Sequence, residues 1–314
     1  MRTVKIPELD KPWSVITFGC WQIAPSGGWG DYCTPKDADR VVKTALEGGI
    51  TAFDTAEGYG DGESERRLSK ALGPRLDDVI IISKIWPDAE LTPAAYQKRL
   101  DQSLKALRRD FVDVYLVHWP SEMFGTAEHS RRLVDLMVGL RESGKARTVG
   151  LSNFRAEDLK RLGPGASEFV VNQVPYHLLQ REYEDETLEI CRRHGIRYMA
   201  YSPTGRGFFG GRLDEKARQY RLRQGYFLYQ EPYFSRARPA LELLEAIARE
   251  AGTSAINVAL AWVLAQSDML TAVVGSRRPE QVREVCAAGD LRLSPDQLAR
   301  LNQVSEQFHQ ALAR

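Results

Sequence analysis

Read only for its hydrophobic and polar positions, the 314-residue chain alternates short apolar runs with amphipathic segments almost from end to end. That rhythm predicts repeated βα units and a parallel sheet. Eight runs read as strands: Ile16–Phe18, Thr51–Asp54, Val79–Ser83, Val112–His118, Arg147–Leu151, Phe169–Asn172, Arg197–Tyr201 and Thr271–Val274. The third and fourth are nearly continuous in apolar residues, as expected of strands covered on both faces. Helix starts lie between them. Thr34-Pro35 and Thr92-Pro93 each set a capping hydroxyl before a proline at the first helical position. Tyr96, Leu100, Leu104 and Leu107 then form one apolar stripe. Further helices are expected over Pro239–Ala251 and Ser254–Ala265, and Ser294-Pro295-Asp296 caps a last one. The pattern predicts an α/β fold, a (β/α)8 TIM barrel in a single domain over residues 1–314, with extra C-terminal helices. One stretch breaks the rhythm: from Pro203 to Pro239 no period of two or 3.6 is visible, so it reads as a long loop of functional origin.

Polar residues gather where these strands should end. Asp54, Lys84 and His118 follow or close three successive runs, and Tyr59 follows in Asp-Thr-Ala-Glu-Gly-Tyr-Gly. In a parallel barrel the carboxyl ends of the strands share one mouth, where rigid positions and variable loops meet. Each residue taken singly has an ordinary structural reading: a surface tyrosine, a structural Lys–Asp pair, a satisfied histidine. Together they compose a proton-donating site. A phenol is a weak acid near neutrality, and a neighbouring ammonium is expected to lower its pKa, so Tyr59 is the candidate donor and Lys84 its activator. Asp54 would hold Lys84 charged. His118 would donate a hydrogen bond to a substrate oxygen or relay a proton to the phenol, and the residues do not choose between these roles.

Composition narrows the partners. Lys plus Arg number 43 against 42 Asp plus Glu, a net charge of +1, which argues against nucleic acid or membrane surfaces and toward a small molecule. The interleaved arginines and tyrosines of residues 218–227 do not alter that balance. Cys20, Cys33, Cys191 and Cys286 make no CxxC pair and no metal-ligand spacing, so structural thiols in a reducing, cytoplasmic setting and no metal are expected. The N-terminal residues carry no sustained apolar stretch, and the segment Ala255 to Ala265 is too short to span a bilayer. Oligomeric state is not readable.

The motifs then become specific. Phe53 through Gly60, Ser83-Lys84, Val117-His118-Trp119-Pro120 and Gly144-Lys145 through Phe154 occur in order, and together they resemble the signatures of the aldo-keto reductase family from about Phe18 to the last helix. The resemblance implies a short N-terminal β-hairpin over Arg2–Ser14 and a nicotinamide cofactor, NADPH with NADH as the alternative, lying across the barrel mouth. No GxGxxG follows a strand, so a Rossmann site is not indicated. On that reading Ser152, Asn153 and Gln173 hold the carboxamide, Tyr201 stacks on the nicotinamide ring, and residues 203–239 cover the cofactor. Backbone N–H groups of Ser202 through Gly207, Gly205 included, would wrap the pyrophosphate. Gly275, Ser276, Arg277, Arg278, Gln281 and Glu284 resemble the adenosine-phosphate site, a strand end before a helix N-terminus with two arginines. Val274, Gly275 and Val285 depart from the Pro, Lys and Asn of many relatives, and Thr204 from the usual Leu. Trp21, Trp29, Trp86 and Trp119 fall near the predicted mouth and would line a substrate pocket that stacks on rings or sugars. The implied activity is NADPH-dependent reduction of an aldehyde or ketone, keto sugars included. The alternatives are an NAD-using sugar or cyclitol dehydrogenase and a nicotinamide-binding regulatory subunit resembling potassium-channel β subunits.

Overall fold

The computed structural model describes residues 1–25, 33–211, 213 and 219–312. Its centre is a closed barrel of eight parallel strands: β3 (Ile16–Gly19), β4 (Ala52–Asp54), β5 (Ile80–Ile85), β6 (Val112–Val117), β7 (Ala146–Ser152), β8 (Phe169–Pro175), β9 (Arg197–Tyr201) and β10 (Met269–Val274). β10 pairs with β3 to close the ring. A two-stranded antiparallel hairpin precedes it, β1 (Thr3–Val4) with β2 (Trp13–Ser14). All eight expected runs are strands. β5 extends past the expected Ser83, so Lys84 lies within the strand, its backbone in register with Leu116 of β6. No helix among the described residues is long and apolar enough to cross a membrane.

Alternation along each strand separates two cores. One set of apolar side chains, Ala52, Ile80, Ile82, Val114, Leu116, Val171 and Met199, clusters with Trp13 of the hairpin. The alternate set, Phe18, Phe53, Ile81, Tyr115 and Val117, belongs to the larger cluster that takes in the surrounding helices. Trp13 is fully buried and anchored by its indole N–H donating to Thr17 Oγ1 at 2.9 Å. The helices begin as their caps predict. Thr34 and Asp37 form a reciprocal capping box on Pro35–Glu47, and Thr92 Oγ1 accepts from Ala95 N at the start of Pro93–Leu107.

The reading of residues 203–239 as a structureless loop is corrected by the structure. The described part contains 3-10 turns at Phe208–Gly210 and Phe227–Tyr229 and short helices at Arg221–Gln224 and Tyr233–Arg236. These elements are too short to show a hydrophobic period. They are held instead by rings: Phe208, Phe209, Tyr226 and Tyr229 are buried, and Tyr226 Oη lies 2.6 Å from His177 Nε2 in the loop after β8. The next helix runs Arg238–Ala251, with proline in its first turn.

Behind the mouth, Glu65 on the helix Glu63–Leu72 is 1% exposed and accepts a hydrogen bond from Ser83 Oγ at 2.6 Å. Burial pushes its carboxyl up to about 7, against the lowering effect of its hydrogen bonds. Between the ordinary value of 4.5 and about 7, the folded protein holds a proton that the unfolded chain has lost, so stability falls as pH rises through that window. Glu65→Gln removes this dependence. Urea unfolding should show the variant gaining on the wild type between pH 5 and pH 8, by up to about 3 kcal/mol. An equal difference at the two pH values would refute the buried-acid assignment.

Candidate active site

The site is built from the last positions of the inner strand faces. Following the period of two, Asp54 succeeds Ala52, Lys84 succeeds Ile80 and Ile82, His118 succeeds Val114 and Leu116, Gln173 succeeds Val171, and Tyr201 succeeds Met199. The alternation that fills the barrel with apolar side chains therefore delivers polar ones to its mouth.

Lys84 is completely buried. Its ammonium donates to Asp54 Oδ1 at 2.7 Å, to the Thr55 carbonyl at 2.7 Å and to Tyr59 Oη at 3.3 Å. The second Asp54 oxygen accepts from Gln173 Nε2 at 2.8 Å. Burial works against the charge on Lys84, but Asp54 and Tyr59 more than offset it, and the amine sits above its ordinary pKa. Tyr59 departs from expectation. Burial raises its phenol above the ordinary value and exceeds the lowering by Lys84, so the hydroxyl keeps its proton in the resting site.

Tyr59 occupies a short loop closed at its base. Thr55 Oγ1 donates to Ser64 Oγ at 2.9 Å, and Ser64 Oγ donates to the Cys20 carbonyl at 2.8 Å. Ser64 N also bonds the Tyr59 carbonyl at 3.1 Å.

His118 is pushed down to about 2, by burial and then by the charge on Lys84, so its ring is neutral at any working pH. Nδ1 is buried without a partner among the described residues. A bare lone pair costs less there than an unpaired N–H, which favours the tautomer with hydrogen on Nε2. The ring stands edge-on to Tyr59 at 5.5 Å and to Trp86 at 4.9 Å, and stacks with Trp119 at 6.4 Å. Trp86 and Trp119 are each 41% exposed, the large hydrophobic side chains left open on this surface. Trp21 is half-buried in the turn after β3, and Trp29 lies outside the described residues.

The predicted carboxamide residues are largely committed to one another. Asn153, in the left-handed region at φ +66°, donates through Nδ2 to the His118 carbonyl at 3.1 Å and to Ser152 Oγ at 2.9 Å. Its Oδ1 accepts from Tyr201 Oη at 2.9 Å, and Ser152 Oγ donates to the Gln173 carbonyl at 2.9 Å. Gln173 Oε1 accepts no hydrogen bond among the described residues, which leaves it as the acceptor available to a ligand amide.

At the other end, a cavity of about 130 Å³ is lined by Gly275, Ser276, Arg277, Gln281 and Glu284, together with Thr204, Arg206 and Gly207 of the segment after β9. Arg278 is exposed and does not line it. Ser202 lies at the strand exit at φ +53°, also outside the lining. Sequence reasoning missed Gln22, which shares this cavity, and the Thr55 carbonyl beneath Lys84. Gln22 carries no motif, and the Thr55 carbonyl is a backbone group whose role no side-chain pattern discloses.

A profile of the Aldo/keto reductase family matches residues 15–306. The aldo-keto reductase YhdN of Bacillus subtilis is 31% identical over 311 residues, covering 93% of this chain and 90% of that one. The NADH-specific methylglyoxal reductase of Escherichia coli is 28% identical over 332 residues, covering 98% and 99%. Among solved structures, the glycerol dehydrogenase of Gluconobacter oxydans aligns with a TM-score of 0.83 at 27% identity, covering 96% of this chain and 94% of that one. An aldo/keto reductase from Klebsiella pneumoniae in complex with NADP and acetate aligns at 0.74 with 28% identity, covering 96% and 95%.

Removing one partner of a buried ion pair leaves the other charge uncompensated. Lys84→Met and Asp54→Leu should each lower stability by about 3–5 kcal/mol in urea unfolding at pH 7. The double variant should lose clearly less than the sum. Strict additivity would mean that the two side chains do not depend on one another.

Proposed function

The chain belongs to the aldo/keto reductase family, and from that premise we propose that it reduces an aldehyde or ketone to the alcohol with NADPH, Tyr59 supplying the proton. The observation that carries this reading is the Tyr59 hydroxyl 3.3 Å from an ammonium that is itself fixed by Asp54 and the Thr55 carbonyl.

The residues present fit a nicotinamide dinucleotide. Gln173 Oε1 is an open acceptor at the mouth, Tyr201 offers a partly exposed ring, and Ser276 and Arg277 supply a hydroxyl and a cation at the far cavity. When bound, the cofactor supplies the hydride, which no side chain can deliver. The protein's own groups handle the oxygen. As negative charge grows there, the neutral His118 ring donates a hydrogen bond and Tyr59 passes its proton to the alkoxide. The high resting pKa of Tyr59 keeps it loaded as an acid. Lys84 acts on the other side of the transfer, stabilising the phenolate as it forms. Trp86 and Trp119 present open ring faces on which a sugar or aliphatic carbonyl can stack.

A second reading, use of NADH, is favoured by the exposed position of Arg278 away from the cavity, which leaves Arg277 as the phosphate reader at the strand end. The methylglyoxal reductase relative is named as NADH-specific.

Two measurements test these readings. Tyr59→Phe keeps the ring and removes the proton, so turnover on an accepted carbonyl should fall by about 10²–10⁴ while NADPH binding is retained. Reduction at the wild-type rate would sink the mechanism. Arg277→Ala should weaken NADPH by about tenfold and NADH hardly at all, with Arg278→Ala closer to wild type. Equal losses for both cofactors would remove Arg277 as a phosphate reader.

A further inference from the structure

Behind the Tyr59–Lys84 pair runs a short chain of hydrogen bonds to which no role in the reaction has been given. Thr55, Ser64 and Cys20 are fully buried. The Thr55 hydroxyl donates to Ser64 Oγ at 2.9 Å, and the Ser64 hydroxyl donates to the Cys20 carbonyl at 2.8 Å, so each proton has one direction. Ser64 is the second residue of the helix Glu63–Leu72, whose cap is Gly62. A serine at a helix start ordinarily bonds the backbone of its own first turn. This one reaches outward instead, to the exit of β4 through Thr55 and to the turn Cys20–Ile23 after β3. Its neighbour Glu65 reaches β5 through Ser83, the residue before Lys84.

Both ends of the tie bear on the proton donor. The Thr55 carbonyl accepts from Lys84 Nζ at 2.7 Å and the Thr55 N–H donates to the Ile82 carbonyl at 2.8 Å, so the bond to Ser64 is a third hold on this residue. Ser64 N donates to the carbonyl of Tyr59 itself at 3.1 Å. Between Tyr59 and the helix the chain passes through Gly60, Asp61 and Gly62, all in the left-handed region at φ +62°, +55° and +75°. That region is sparsely populated by residues with a side chain, so Asp61 is kept there by the contacts that close the loop.

We propose that Ser64 is a positioning residue of the reaction: by holding the Thr55 carbonyl and the Tyr59 backbone in one place, it sets the separation of the Tyr59 hydroxyl from the Lys84 ammonium. The inference rests on the reading of Tyr59 as proton donor. Without the Ser64 hydroxyl, Thr55 Oγ1 is buried with no acceptor and turns to find one, moving the carbonyl that anchors Lys84. The ammonium is then less well placed to stabilise the phenolate left when Tyr59 gives up its proton. At such a site a displacement of about 1 Å can slow the reaction by about 10²-fold.

The test compares Ser64→Ala, Thr55→Val, Thr55→Ser and the double variant Ser64→Ala/Thr55→Val with the wild type. The measurement is the single-turnover rate of NADPH-dependent reduction of glyceraldehyde and of 4-nitrobenzaldehyde, in H2O and in D2O. Ser64→Ala and Thr55→Val should each lower that rate by about 10- to 100-fold while NADPH affinity, read by tryptophan fluorescence, is retained. The double variant should lose little more than either single one, since both remove the same bond. Thr55→Ser, which restores the hydroxyl, should recover most of what Thr55→Val loses. The solvent isotope effect should grow in the impaired variants, because proton delivery then limits the rate more fully. A wild-type rate in folded Ser64→Ala overturns the proposal. So does a loss with an unchanged isotope effect, which would mark Ser64 as a support of the fold alone. Where Ser64→Ala does not fold, Thr55→Val against Thr55→Ser decides by the same two criteria. A wild-type chain that reduces neither aldehyde overturns the proton-donor reading, and the proposal with it.

Discussion

The buried pair of Lys84 and Asp54 is the constraint around which the barrel mouth is organised. An ammonium with no exposed surface persists only if every donor finds an acceptor, and here the acceptors come from a carboxylate, a backbone carbonyl and a phenol. The remaining lone pairs of Asp54 draw in Gln173 from the far side of the ring. β4, β5 and β8 are thus tied together inside the barrel by one charge. The same charge helps keep His118 neutral, and from 3.3 Å it works against the rise that burial imposes on the Tyr59 phenol. Tyr59, Asp54 and His118 all take their electrostatic setting from a single buried cation.

That organisation is inexpensive for the fold, because it reuses the alternation that fills the barrel. On the inner faces the apolar Ala52, Ile82, Leu116, Val171 and Met199 are each followed two positions on by a polar residue, Asp54, Lys84, His118, Gln173 and Tyr201. A one-residue slip of any of these strands would turn its polar residue outward among the helices and an apolar one into the mouth. The register that packs the core is therefore the register that assembles the chemistry.

Much of this was legible in the residues. Asp54, Lys84, His118, Gln173 and Tyr201 lie at ends of runs whose period betrays the strands, and their motifs occur in order. What could not be read depends on three-dimensional contacts. The direction of the Tyr59 shift is set by how completely the folded site excludes water, which exceeds the pull of Lys84. Residues 203–239 have no period because their anchors are rings that meet distant partners, such as Tyr226 with His177, 49 positions away. Gly205 and Gly207 look like open phosphate amides until the turns that use those amides are seen.

The loop bearing Tyr59 is closed at its base by the Thr55–Ser64 hydroxyl pair, so the position of the phenol is decided within the ten residues from Thr55 to Ser64. Trp86 and Trp119 enter the mouth from other loops, after β5 and β6. Tyr59 and these two tryptophans are consequently held by separate modules. A lineage with this architecture can exchange the loops after β5 and β6, and with them Trp86 and Trp119, while inheriting Tyr59 in place. Freedom to vary the mouth is in this sense a property of one hydroxyl–hydroxyl contact.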